Sequence, residues 1–144
     1  MKALKYLVPA ALACALVFTT AARAAEDASR FQLNPAMMEK LKAAEADMKL
    51  LPKLDAAAPE VDPDQSIDAA IRKIEQDKQT IAVLARHGLT GRELVLSAHA
   101  LLHAGTFVST SSTIDQKKSS ELYKSYTREQ QANIDLVRNM MRAK

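Results

Sequence analysis

The sequence predicts an all-α protein, an irregular bundle of four to five helices behind a cleaved export leader. Three observations carry this expectation. Apolar residues recur at helical spacing, stretches such as Asn34-Pro35 and Thr90 to Glu93 have the chemistry of helix starts, and no run alternates apolar with polar residues as a half-buried strand would.

Residues 1–24 show the three zones of an export signal. Basic Lys2 and Lys5 precede the apolar run Leu7 to Phe18, and small residues ending Ala22-Arg23-Ala24 set the expected cleavage after Ala24. The run has 12 residues, short of the roughly 20 a spanning helix needs, so no stable membrane insertion of the mature chain is expected. Cys14 follows Ala11-Leu12-Ala13, which approaches a lipidation signal, but the apolar run continues to Phe18 and favours simple cleavage. The expected product is periplasmic or secreted. It would keep no cysteine, and hence no disulfide, thiol nucleophile or thiolate metal site.

Cleavage also changes the charge. Of 20 basic residues three lie in the leader, which leaves 17 against 17 acidic ones, so the basic balance of the precursor is no evidence for a nucleic-acid partner. Acidic residues are concentrated between residues 25 and 71 and basic ones between 72 and 144, an asymmetry that favours contact between the two parts.

Along the mature chain, residues 25–33 are expected to be a disordered N-terminal tail and 34–144 a single helical domain. Asn34 can cap a helix whose first residue is Pro35, and Met37, Leu41, Ala44, Met48 and Leu51 form its apolar stripe. Lys53 to Asp64, with Pro59 and Pro63, reads as an acidic connector. A second helix from Pro63 or Ser66 carries Ile67, Ile71, Ile74, Ile81 and Ala85 on one face and ends at Gly88. Thr90 and Glu93 form a capping box that opens a third helix at once, over about Gly91 to Ala104. Its leucines, valine and alanines cover most of the circumference, so it is expected to be central, with Gly105 closing it. Thr106 to Ser120 reads as a Ser/Thr-rich loop leading into a polar helix anchored by Leu122, Tyr123 and Tyr126. A second capping pattern, Thr127 with Gln130, precedes a last stripe of Ile134, Val137 and Met141.

Candidate chemistry is sparse. His99 and His103, four apart on the third helix, point the same way and have the spacing of a metal-ligand pair, with His87 as first candidate for a third ligand and Met37 or Met48 behind it. Local hydrogen bonding at the edge of the core accounts for the pair as well, and a C-terminal cap accounts for His87. Five methionines remain after cleavage, at positions that suit core filling or a flexible groove for a greasy partner. No Gly-x-Ser-x-Gly elbow, glycine-rich phosphate loop or His-Glu-x-x-His pattern occurs, so neither an enzyme nor a bound cofactor is expected.

Two stretches, Leu89-Thr90-Gly91-Arg92-Glu93 and Tyr126-Thr127-Arg128-Glu129-Gln130, resemble the Leu-Thr-x-x-Gln box of Spy-type periplasmic chaperones, with Glu for Gln in the first and Tyr for Leu in the second. That resemblance implies non-enzymatic binding of unfolded clients. The order of leader, Asn-Pro-started helix, Pro-rich connector, Leu-Thr-x-Arg-Glu helix and final Gln-Ala-Asn-Ile helix is also similar to small exported proteins of Gram-negative bacteria with no assigned function. The expected role is binding of another protein or a hydrophobic ligand. The alternative is a metal- or haem-binding carrier built on the histidine pair.

Overall fold

The computed structural model describes residues 28–51 and 66–143; the expected leader and the whole of the expected connector lie outside them. The protein is all-α. Six helices lie wholly within the described residues: α1 (Pro35–Leu50), α2 (Ile67–Gln76), α3 (Lys78–Arg86), α4 (Gly91–Ser111), α5 (Gln116–Ser125) and α6 (Arg128–Arg142).

Each start is explained by a capping side chain. Asn34 Oδ1 accepts from the Met37 amide at 2.8 Å, and Ser66 Oγ accepts from Ala69 at 3.3 Å. Both expected capping boxes form, Thr90 with Glu93 and Thr127 with Gln130, each satisfying donors that a helix leaves orphaned at its N-terminus. Gly88, at φ +62°, makes the left-handed corner between α3 and α4.

The count exceeds the expected four to five because one expected helix is two. Asp77 Oδ1 accepts from the amides of Gln79 and Thr80, and Asp77 Oδ2 from the Thr80 hydroxyl at 2.7 Å, so Asp77 caps α3 and separates it from α2. The break resets the helical phase. Val83 and Leu84 consequently become the buried residues of α3, and Ala85, expected on the apolar face, is exposed.

The long helix also runs further than expected. Gly105 lies inside α4, where an interior glycine costs about 1 kcal/mol, and burial of Phe107 beyond it offsets that cost at about 2–3 kcal/mol. The Ser/Thr run that reads as a loop is helical to Ser111, with its hydroxyls turned back onto carbonyls of the preceding turn. Thr110 Oγ1 donates to the Thr106 carbonyl at 2.8 Å, Ser111 Oγ to Val108 at 2.9 Å and Thr113 Oγ1 to Thr110 at 2.8 Å.

Three apolar clusters share α4. Near its start, Val95 joins Ala44 of α1, Ile71 and Ile74 of α2, and Val83 and Leu84 of α3. At its middle, Ala100 joins Leu33, Met38 and the flanking Leu136 and Met140 of α6. Towards its end, Ala104 and Phe107 pack with Ile134, Tyr123 and Tyr126. The central position expected for this helix is therefore observed, although Leu102 stays on the outside, 58% exposed. On α6 the buried face turns through Asn133, Ile134, Leu136 and Met140, and Met141, expected in the stripe, is exposed.

The tail is the clearest departure. Where residues of the expected disordered segment 25–33 are described, they are held: Leu33 is 3% exposed, and its backbone N–H donates to Asn133 Oδ1 at 2.8 Å. Phe31 packs in the same cluster.

Candidate functional site

At about 100° per residue, His99 lies three and four residues before Leu102 and His103, and Thr106 three and four residues after His103 and Leu102, so the four make one stripe along α4. The residues that bury the helix, Ser97, Ala100, Ala104 and Phe107, lie around the other side. Close to the helix start the outer side is covered, because α2 packs there and buries Val95. Gly91 permits this approach: a Cβ at that position would meet Ile74 Cγ2 at 3.1 Å and Ile81 Cδ1 at 3.4 Å. Further along, Leu102 is exposed between two half-buried imidazoles.

His103 is fixed by an aromatic neighbour. Its ring stands edge to face with Tyr126, centroids 4.6 Å apart, and Tyr126 in turn makes a T-shaped contact with Phe107 at 5.7 Å. Partial burial there disfavours the charged imidazolium and lowers the His103 pKa. Tyr123 continues this wall; its hydroxyl donates to Asp135 Oδ2 at 2.7 Å, a bond that raises the Tyr123 pKa, and Arg138 lies over both the Phe107 and Tyr123 rings. These contacts hold α5, which has no buried residue within its own span.

The expected third ligand does not join the pair. His87 caps the C-terminus of α3 and its Nε2 lies 2.9 Å from Asp47 Oδ2 of α1, so it ties those helices together across the expected acidic and basic parts of the chain. Met37 sits against Ser97, whose hydroxyl donates to its sulfur at 3.5 Å, roughly 160° around α4 from His99. Met48 belongs to the cluster at the start of α4. Among the described residues no group of three or more His, Cys, Asp or Glu side chains is placed to hold a metal ion. His99 and His103 remain as two neighbouring imidazoles.

Sequence reasoning overlooked Asn133. It is 2% exposed in the middle of the α6 stripe and satisfies both ends of its amide on the backbone of residues 31–33. The signal was present in the sequence, as an amide embedded between apolar positions of a helix, where burial demands a partner.

The fold and these surfaces define an all-helical protein with a half-apolar outer stripe on its central helix and a pinned N-terminal segment. No protein family, curated protein or solved structure matches the chain. Among the described residues no helix is long and apolar enough to cross a membrane.

Proposed function

We propose that this chain is an exported protein, cleaved after Ala24, that acts in the periplasm without enzymatic turnover by binding another protein or a hydrophobic ligand. The observation that carries the reading is Leu102, 58% exposed on the helix that otherwise organises all three clusters. An apolar side chain flanked by His99 and by His103, whose ring stands against Tyr126, offers a partner an anchor bordered by hydrogen-bonding groups.

The test is suppression of aggregation of a chemically unfolded client by the mature chain, without nucleotide. Wild type is expected to slow aggregation near stoichiometric ratio, and Leu102→Ser to lose that effect while melting at the same temperature. No effect against several clients, or full activity in Leu102→Ser, refutes the reading.

A further inference from the structure

The N-terminal segment is bound to α6 as a peptide would be. Asn133 Nδ2 donates to the Phe31 carbonyl at 2.8 Å while Asn133 Oδ1 accepts from the Leu33 N–H at 2.8 Å, so one side-chain amide pairs with the two backbone groups that flank Gln32. This is the pairing a neighbouring parallel strand would make. The side chains follow the same logic, with Phe31 and Leu33 packed inward and Gln32 exposed between them. At the start of the segment the Thr127 hydroxyl donates to the Ser29 carbonyl at 2.6 Å, and the same oxygen accepts from the Gln130 amide to cap α6. Every one of these bonds engages backbone groups of the segment, which any sequence possesses. Phe31 and Leu33 add apolar side-chain selection to these backbone bonds.

We infer that the cleft holding Phe31 to Leu33, which follow a helical turn at residues 28–30, is a receptor for a short extended peptide of another protein bearing apolar residues two apart, and that the chain's own segment is its tethered occupant. The receptor is rigid where backbone is read and adaptable where side chains are read. Asn133 is 2% exposed and fully paired, whereas Met37, Met38 and Met140 contribute to the apolar wall, and thioether side chains reshape around different anchors. The occupant can leave as a unit. Asn34 has extended backbone and caps α1 with its own side chain, so the junction between strap and helix keeps its cap when residues 29–33 swing away. The inference goes beyond the Leu102 surface and uses a different side of α4, the one marked by Ala100.

The experiment uses the full mature chain and a fluorescein-labelled peptide copying residues 28–34, read by anisotropy. In wild type the tethered copy competes, so weak binding is expected. In Phe31→Ser/Leu33→Ser the competitor loses its anchors while the cleft is unchanged, and the peptide is expected to bind at least tenfold tighter. Adding Asn133→Ser is expected to reverse that gain, and a peptide with both apolar residues replaced by Ser is expected not to bind. Equal affinity for wild type and the strap variant, or binding indifferent to Asn133, overturns the inference. Should the strap variant not fold, hydrogen exchange on wild type decides: the Leu33 amide is expected to exchange at least tenfold faster than that of Ile134, and exchange at the same rate means the strap never leaves. A dimer that disperses on adding peptide overturns assignment to a foreign peptide in favour of exchange between copies of this chain. Client protection that depends on Leu102 while the peptide fails to bind would sink this inference alone; the converse would sink only the function proposed above.

Discussion

Replacing Asn133 with Leu removes two hydrogen bonds at once, and its cost follows from which of two states the variant prefers. If the strap stays seated, the Leu33 N–H and the Phe31 carbonyl lose their partner near the core, at about 1–3 kcal/mol for each unsatisfied group. If it leaves, water satisfies both groups, and the loss is the burial of Leu33, 3% exposed in the native state, at about 1.5–3 kcal/mol, together with part of Phe31. The chain takes the cheaper course. We therefore expect Asn133→Leu to destabilise by about 2–4 kcal/mol, a large share of the roughly 5–15 kcal/mol typical of a domain. For a chain of this size that lowers Tm by about 10 °C, measured by far-ultraviolet circular dichroism with a urea titration alongside. A cycle with Leu33→Ser is expected to show strong coupling, since both changes release the same segment. A Tm within about 2 °C of wild type would mean that the amide bonds are replaceable and that the strap is held by its apolar contacts alone.

Three further outcomes follow from named contacts. Gly88→Ala places a Cβ at φ +62° and is expected to cost about 1–2 kcal/mol by thermal melting, and no loss would mean that the α3–α4 corner relaxes without strain. Because burial lowers the His103 pKa, the unfolded chain binds a proton there more readily than the folded one; this site's stabilisation is complete above the unfolded pKa and is lost as pH falls through that value and on through the lower folded one, so His103→Gln should flatten a stability profile measured between pH 5 and about 7.5, and an unaltered slope refutes the assignment. With no third His, Cys, Asp or Glu placed beside His99 and His103 among the described residues, calorimetry on metal-stripped protein should find zinc or copper no tighter than about micromolar and unaffected by His87→Ala. One equivalent bound at about nanomolar affinity and lost in both His99→Ala and His103→Ala would make metal carriage the leading function.

Helix class, helix starts and the central helix were legible in the sequence because they depend on neighbours in the chain. Apolar spacing, the caps at Asn34, Thr90 and Thr127 and the glycine corner at Gly88 all act within about one turn. The break at Asp77 obeys the same local rule, but it was hidden by the regular isoleucine spacing on either side. Gly105 misled for the opposite reason: glycine ends a helix only where the backbone turns left-handed, and the burial of Ala104 and Phe107 around it keeps the helix going.

What tertiary structure alone decided was everything that joins distant residues. Ser29 and Thr127 are 98 residues apart, and Phe31 and Asn133 are 102 apart, so no local pattern could show that a polar tail is pinned or that an amide on α6 pins it. His87 turned towards Asp47, 40 residues away, instead of towards the other histidines. Spacing along one helix specifies which side chains share a face. Whether that face meets solvent, another helix or a third ligand depends on how separate helices pack, and that is set by the summed burial of all three clusters, which no single stretch of sequence contains.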